Sequence, residues 1–461
     1  MTTDWTGKRV TILGGARQGQ AAARYLARHG ASVTLNDRRV AEEMVSAQAA
    51  LADLPIRWVL GDHPLSLLET TDVLCISGGI PLSLPLVQEA IRRGLPLTND
   101  TQVFMEAVPC PTIGITGSAG KTTTTTLVGR IARAAFEGGR RRVYVGGNIG
   151  DPLLNYVDEM RPDDLAILEI SSFQLEQMTL SPNVAVILNI TPNHLDRHGT
   201  MEAYTAAKAR ILAYQRAEDI AILGRDDPGA WGLRGQVRGR LLSFGFTPLP
   251  EDGEGVFLRK GRICLRAQGK ESTLLKQDTI RLRGEHNRLN VMAACAIACA
   301  AGLPRRSILA GVQDFGGVPH RLQYVRTYRG AAWYNDSIAT APERTMAAIR
   351  SFDEPIILLL GGRDKNLPWE PLAELVARRV EHVIVFGEAA AKIEAVLQQQ
   401  GGGQTFGLQR CPGLRAAVEA AARLAQPGRV VLLSPGGTSF DEFRDFEERG
   451  EAFCKWVLEL S

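Results

Sequence analysis

The sequence predicts an α/β protein of three domains built on open, mostly parallel sheets. Three observations predict it. Apolar strand-like runs alternate with helix-like runs over most of the chain, glycine turns follow those runs, and proline punctuation divides the pattern near residues 109 and 319. A chain of 461 residues also exceeds what one hydrophobic core organises. The domains are expected at 1–108, 109–315 and 316–461.

The N-terminal domain opens with the strand Arg9-Val10-Thr11-Ile12-Leu13, and Gly14-Gly15-Ala16-Arg17-Gln18-Gly19 then starts a helix through Arg28. A second strand, Ser32 to Leu35, ends in Asn36-Asp37-Arg38, about twenty residues beyond the glycines. This is the layout of a Rossmann-like βαβ unit, in which a glycine turn approaches a pyrophosphate and an acidic residue meets a ribose. Ala16 stands where the usual pattern has its second glycine, and the cradle suits a nucleotide-sugar diphosphate as well as a nicotinamide cofactor. Val73 to Ile80 reads as a buried strand ending in a further glycine turn, Ser77-Gly78-Gly79.

The central domain comes after Val108-Pro109-Cys110-Pro111. The segment Pro111 to Ile115 is apolar enough for a buried strand, and residues after Thr122, through Arg133, read as a helix. Between them lies Thr116-Gly117-Ser118-Ala119-Gly120-Lys121-Thr122-Thr123, a P-loop ATPase-like turn. Its backbone N–H groups and the helix N-terminus would face phosphates, Lys121 adds a point charge, and Thr122 offers a hydroxyl to Mg2+. The usual spacing wants glycine five residues before Gly120, where this chain has Ile115, with Gly114 one step further back. Further strands are expected at Ala166 to Ile170 and Val184 to Ile190, whose near-continuous apolar runs suit parallel strands covered on both faces. A small β portion is expected between 238 and 283, at Leu241, Phe244, Val256-Phe257, Ile263-Cys264 and Thr279 to Leu282, followed by a helix from Asn287 to Ala301.

The C-terminal domain begins around Phe315-Gly316-Gly317-Val318-Pro319. Strands at Ile356 to Leu360, His382 to Phe386 and Val430 to Leu433, each followed by glycines, predict a second Rossmann-like sheet. The Gln398 to Gly403 stretch reads as a surface loop.

Composition narrows the classes. A hydrophobic share of 45% with 22% charged residues is that of a soluble globular protein, and a net charge of +3 at this length gives no support for a nucleic-acid or membrane surface. The seven cysteines include no CxxC pair, which argues against a zinc site and a disulfide framework and for a cytoplasmic location. The N-terminus carries no charged-then-apolar leader pattern.

Three further residues could carry chemistry. Glu169 ends a buried strand on the edge that carries the phosphate loop, where a carboxylate suits Mg2+; the alternative is a solvated loop glutamate. His194, in Asn189-Ile190-Thr191-Pro192-Asn193-His194-Leu195-Asp196-Arg197-His198, comes after the next strand and is equally a metal ligand or polar surface. Lys208 sits in a helical stretch with no special local signal and reads as a solvated lysine.

In order along the chain, the phosphate loop, Gly147-Asn148-Ile149-Gly150, Leu168 to Leu175, the Asn189 to Arg197 segment, His286-Asn287-Arg288-Leu289-Asn290, Pro319-His320-Arg321 and Asn335-Asp336-Ser337 resemble the motifs of Mur ligases. The resemblance covers nearly the whole chain. It is strongest to the branch that joins D-glutamate to UDP-N-acetylmuramoyl-L-alanine, through the Ser-Ser-Phe-Gln-Leu-Glu run at 171–176 and the ending from Ser434-Pro435 to Phe446-Glu447-Glu448-Arg449-Gly450.

The resemblance implies an ATP-dependent amide ligase of peptidoglycan precursor synthesis that works through an acyl phosphate. By the same resemblance, Gly117, Ser118, Ala119, Gly120, Lys121, Thr122, Thr123, Asn290, Arg321 and Asp336 would hold ATP. Thr122, Glu169, His194 and a carbamylated Lys208 would position two Mg2+ ions, and Lys121, Lys208, His194 and Glu169 would serve catalysis. Gly15, Gln18, Gly19, Asn36, Asp37, Arg38, Ser77, Gly78 and Gly79 would bind the uridine diphosphate, with Asn148 at the muramoyl part. Lys365, Ser439, Phe440 and Phe446 would take the amino acid. No nucleic acid or membrane partner is implied, and a monomer is expected.

One departure bears on the amino-acid site. Members of the family commonly carry lysine where this chain has Ile338, in Asn335-Asp336-Ser337-Ile338-Ala339-Thr340. Lys365 or Arg363 could then supply a carboxylate partner. A sister ligase adding L-glutamate or a diamino acid is the alternative, and from another class a non-catalytic ATP-regulated binding protein. A folate-glutamating enzyme would not need the N-terminal domain, and a dehydrogenase would have to bind NAD.

Overall fold

The computed structural model describes residues 3–400 and 406–461. They form two compact units, Met1–Ile280 with Glu285–Asp314, and Arg281–Gly284 with Phe315–Ser461. The first unit contains two sheets and the second contains one.

The N-terminal sheet comprises β1 (Arg9–Leu13), β2 (Ser32–Asp37), β3 (Arg57–Leu60), β4 (Val73–Ile76) and β5 (Leu97–Thr98). Its order is β3-β2-β1-β4-β5, with all neighbours parallel. The strand order reverses between β1 and β4, so the turns after these two strands flank the crevice where doubly wound sheets take ligands. The first helix, Arg17–Arg28, buries Ala21, Ala22, Ala23, Tyr25 and Leu26 and leaves its arginines outward.

The central sheet comprises β6 (Thr112–Thr116), β7 (Val143–Gly147), β8 (Leu165–Glu169), β9 (Val184–Ile187), β10 (Ile220–Gly224), β11 (Arg240–Gly245), β12 (Gly255–Arg259), β13 (Arg262–Ala267) and β14 (Lys270–Lys276). The order is β14-β13-β12-β11-β10-β9-β6-β8-β7. Strands from β7 across to β12 are parallel, and β13 and β14 add an antiparallel end. One expectation is corrected: Thr279 to Leu282 is not a strand. Gln277–Thr279 is a 3-10 turn closed by the Ile280 amide on the Gln277 carbonyl, and the last strand is the more polar Lys270–Lys276. That segment buries one face only, so its sequence lacks the apolar run that marks the other strands. The helices Lys121–Phe136, Glu285–Ala300 and Arg305–Val312 pack together over the sheet.

The two sheets of this unit share a buried cluster in which Val10, Ile12, Leu26 and Phe104 join Leu153, Leu168, Ile170 and Leu175. Buried amides tie the same region. Asn99 Nδ2 donates to the Gln174 carbonyl at 2.8 Å, and Gln174 Nε2 donates to Thr101 Oγ1 at 2.7 Å.

The second unit is built on β15 (Gln323–Tyr328), β16 (Ala331–Asn335), β17 (Ile356–Gly361), β18 (Val380–Phe386), β19 (Gly407–Arg410) and β20 (Val430–Gly436), in the order β15-β16-β20-β17-β18-β19. It is a mixed sheet, because β15 pairs antiparallel with β16 while the other pairs are parallel. The loop expected at Gln398 to Gly403 begins inside the helix Ala390–Gln400, and Gly401 to Gly403 lie outside the described residues. No helix among the described residues is long and apolar enough to cross a membrane.

Candidate functional site

The phosphate loop joins β6 to the helix Lys121–Phe136, at the carboxyl edge of the central sheet. Gly120 caps that helix with φ of +83°, and a Cβ there would stand 2.2 Å from Asn290 Oδ1. Only glycine admits both the left-handed backbone and the contact with Asn290. The loop is stitched to the segment after β9. Ser118 N donates to the Asn189 carbonyl at 3.0 Å, Ala119 N donates to Asn189 Oδ1 at 2.8 Å, and Asn189 Nδ2 donates to the Ala119 carbonyl at 3.1 Å. Ser118 Oγ donates to the Thr191 carbonyl at 2.9 Å and lies 3.0 Å from Tyr204 Oη. Lys121 Nζ donates to the Gly117 carbonyl at 2.8 Å, while Thr122 and Thr123 sit half-buried in the first helical turn.

Lys208 corrects the sequence reading. It is 1% exposed on the helix Met201–Ala213, and its Nζ donates to the Gly117 carbonyl at 3.0 Å and to Thr116 Oγ1 at 3.3 Å. Burial, with the Lys121 charge as a second cause, pushes its ammonium down to about 7. A lysine at that value is partly neutral at physiological pH and therefore a nucleophile.

Glu169 ends β8 and is buried. Its Oε1 accepts from Asn148 Nδ2 at 2.9 Å, and its Oε2 is buried with no hydrogen-bond partner. An orphaned carboxylate oxygen of this kind fits a hard cation. Among the described residues, no three His, Cys, Asp or Glu side chains gather in a metal-holding group. A Mg2+ ion here would accordingly draw most ligands from phosphate and water, as that ion commonly does. His194 is exposed with φ of +53°, and its ring meets the edge of Phe173 at 5.1 Å.

In the N-terminal sheet, the Gly15 amide donates to Asp37 Oδ2 at 2.7 Å. Arg39, and not the exposed Arg38, forks onto the same carboxylate at 3.0 and 2.7 Å, holding it well below the usual carboxylate range against the cost of burial. The side chain of Asn36 is fully buried and engaged by Val59 and Asp62 carbonyls and by His63. Ser77 Oγ donates to the Gly14 carbonyl at 3.1 Å, and Gly19 lies beneath that carbonyl. Ala16, Arg17, Gln18, Gly147, Asn148, Gly150 and Pro152 line a cavity of about 220 Å3 between the turn at 14–19 and the turn at 147–150.

The second unit has its own cluster. Asp336 is buried after β16, accepting from Ser434 Oγ at 2.8 Å and from the Leu322 amide at 3.1 Å, and burial raises its carboxyl to about 7. The fully buried Arg449 donates to Ser337 Oγ, the Ser337 carbonyl and the Gly437 carbonyl. Ser337 Oγ in turn donates to the Phe446 carbonyl at 2.8 Å. Lys365 is exposed and donates to Thr340 Oγ1 at 3.2 Å; Arg363 pairs with Glu388. Ser439 is buried, Phe440 is 60% exposed, and Arg321 is exposed.

Family models match three stretches of the chain: a Mur ligase MurD-like N-terminal domain at 8–99, the Mur ligase middle domain at 115–298, and a Mur ligase glutamate ligase domain at 320–437. A protein of Symbiobacterium thermophilum named UDP-N-acetylmuramoylalanine--D-glutamate ligase is 40% identical over 454 residues, covering 98% of each chain. The chain belongs to the Mur ligase family. A relative of the same name in Acidobacterium capsulatum is 41% identical over 98% of this Mur ligase and 96% of the relative. Two solved structures share the fold. The UDP-N-acetylmuramate-alanine ligase MurC of Thermotoga maritima aligns with a TM-score of 0.55 at 17% identity, over 98% of this chain and 99% of that one. MurF of Acinetobacter baumannii aligns at 0.57 and 17% identity, over 98% and 94%.

Arg39 and Tyr204 lie outside the residues singled out in the sequence, while Asn189 and Arg449 lie in quoted motif segments without a role assigned to them. Arg39 had an available signal, an arginine two residues after the strand-end aspartate. The others act through contacts distant in sequence.

Proposed function

We propose that this Mur ligase joins D-glutamate to UDP-N-acetylmuramoyl-L-alanine, converting ATP to ADP and phosphate as the amide forms, in peptidoglycan precursor synthesis. The observation that carries the chemistry is the meeting, at one sheet edge, of a phosphate loop, a buried lysine and a carboxylate with an unused oxygen. The full-length relatives' name supports the substrates.

The substrate carboxylate oxygen attacks the γ-phosphorus and ADP leaves, forming an acyl phosphate. The amine of glutamate then attacks the acyl carbon, phosphate leaves, and the amine proton passes to solvent or base. Both partners of the first step are anionic, so neutralisation and alignment dominate the barrier. Loop amides at 117–120 and Lys121 hold the phosphates. Thr122, Glu169, His194 and Lys208, the last carbamylated into an anion, would hold Mg2+, which would supply charge neutralisation at the transferring phosphoryl group. Asn290, Arg321 and Asp336 hold the rest of the nucleotide. Gly15, Gln18, Gly19, Asn36, Asp37, Arg38 and the 77–79 turn hold the uridine diphosphate, with Asn148 at the muramoyl part, and Arg39 fixes the Asp37 carboxylate. Lys365, Ser439, Phe440 and Phe446 take the glutamate. The working domain limits are 1–108, 109–315 and 316–461, and the protein works as a cytoplasmic monomer.

The test is ADP release with Mg-ATP and UDP-N-acetylmuramoyl-L-alanine, with no amino acid, D-glutamate, L-glutamate or a diamino acid, followed by product mass. Turnover with D-glutamate alone is the expected outcome. A preference for another amino acid would reassign the pocket beside Ile338, and silence in every mixture would sink the ligase reading.

A further inference from the structure

Arg197 is not among the groups that the ligase chemistry uses, yet it joins two of the site's segments. Its guanidinium donates to the Gly78 carbonyl at 2.9 Å and to the Ile80 carbonyl at 2.7 Å. The same group lies over the ring of Phe173 at 3.8 Å. Phe173 also stacks on His198 at 5.2 Å and presents its edge to His194 at 5.1 Å. His198 is anchored on both ring nitrogens, with Nε2 2.9 Å from Ser172 Oγ and Nδ1 3.1 Å from Glu176 Oε1.

The turn that Arg197 grips has little of its own to hold it. Gly78 and Gly79 carry no side chains and space is open around Gly79; Ser77 is anchored at the start of the turn by the Leu13 and Gly14 carbonyls, and the backbone bond across the turn runs from the Ile80 amide to the Ser77 carbonyl. Two adjacent glycines are the least ordered pair a turn can have, so its shape must come from elsewhere. A planar fork meeting two carbonyls of one turn fixes both position and orientation, and an aromatic face beneath the fork holds the arginine in that pose.

We propose that Arg197 is a positioning residue for the nucleotide-sugar substrate: reaching from the one-turn helix Leu195–His198 that follows His194, it holds the Ser77–Ile80 turn ready for the uridine end. The inference rests on the proposed substrate. A turn already shaped lowers the ordering cost of binding, so the arginine acts on substrate affinity and not on the phosphoryl step.

The test uses the full chain, with calorimetric titration of UDP-N-acetylmuramoyl-L-alanine and of an ATP analogue, and steady-state kinetics. For Arg197→Ala, affinity for the UDP substrate falls about tenfold and its KM rises in step, with kcat and the KM for ATP within about twofold of wild type. Arg197→Lys, which keeps the charge and loses the fork, falls between, and serves should the alanine variant not fold. Unchanged affinity for the UDP substrate in either folded variant would overturn the proposal. So would a fall in kcat with every KM unaltered, the mark of a merely structural loss. A wild-type protein that does not bind the UDP compound would instead bring down the functional reading, and this inference with it.

Discussion

Lys208 Nζ donates a hydrogen bond to the Gly117 carbonyl at 3.0 Å, so a buried amine from one helix faces the backbone of the phosphate loop. Lys121 Nζ donates to the same carbonyl at 2.8 Å. Two amines converging on one acceptor cannot both stay charged without cost, and burial decides that Lys208 is the one that yields.

Lys208 makes stability rise with pH. Its folded value, about 7, lies below the ordinary lysine value of 10.5, so between these limits the unfolded chain binds more protons than the folded one. Lys208→Met therefore stabilises the fold relative to wild type most below pH 7, with the gain shrinking as pH rises toward 10. Melting temperatures of both proteins across that range check it. Because the neutral amine is the form that reacts with carbon dioxide, wild-type activity also rises through pH 7 and responds to added bicarbonate. Lys121→Met removes the second cause and raises the Lys208 value toward its ordinary range, so the pH window over which stability rises moves upward. Melting temperature against pH reads this without needing the activity that Lys121 serves, and an unmoved window would separate the two lysines.

Asn148 separates two roles. Resemblance assigns it to the muramoyl part of the substrate, whereas its side chain donates to Glu169 Oε1 at 2.9 Å, leaving Oε2 as the free oxygen. If it orients the carboxylate, Asn148→Ala weakens Mg2+ dependence about 10- to 100-fold, the usual loss for an outer partner of a metal ligand. Activity against Mg2+ concentration, at saturating UDP substrate, reads this directly. A rise only in the KM for the UDP substrate would return Asn148 to the substrate.

The phosphate loop was legible in the sequence because its signature is local: glycines, a lysine and a threonine between a strand and a helix. The order of apolar runs likewise carried the parallel strands. Lys208 was not legible, since nothing on its helix distinguishes it and its burial comes from the approach of residues 116–117, distant in the chain. The strand Lys270–Lys276 was missed because an edge strand with one buried face has no apolar run to display. The antiparallel pairing of β15 with β16 left no mark that separates it from a parallel neighbour. Arg39 is the intermediate case, since Asp37 was visible as the strand-end acid but its pairing with an arginine two residues on was not read from the sequence.

Gly120 tests the loop itself. Gly120→Ala adds a methyl at a φ of +83° and 2.2 Å from Asn290 Oδ1. Strained left-handed backbone costs about 1–3 kcal/mol, and the clash displaces Asn290 from the loop. The expected result is lower stability in urea and a raised KM for ATP. Gly120→Ala with Asn290→Ala recovers the part due to the clash and not the part due to the backbone, so the double variant loses less stability than the two single losses added together.

Asp336 gives the opposite pH dependence from Lys208, in the other compact unit. Its carboxyl is raised from 3.8 to about 7, chiefly by burial, while Ser434 Oγ and the Leu322 amide favour the charged form and only partly offset it. Between those values the folded chain binds the extra proton, so stability is greatest below pH 4 on this group's account and is lost as pH rises through 7. Asp336→Asn keeps a neutral, isosteric group and removes that slope. Its melting temperature relative to wild type therefore climbs from pH 4 to pH 8, measured on the full chain by the transition of the unit containing Phe315–Ser461. The same variant loses ATP affinity if the carboxylate contacts the nucleotide, and a retained affinity with an altered pH slope would leave Asp336 as a buried acid of the fold alone. A flat difference between the two proteins across pH 4 to 8 would mean that Asp336 stays ionised throughout, held by Ser434 and the Leu322 amide more strongly than burial opposes.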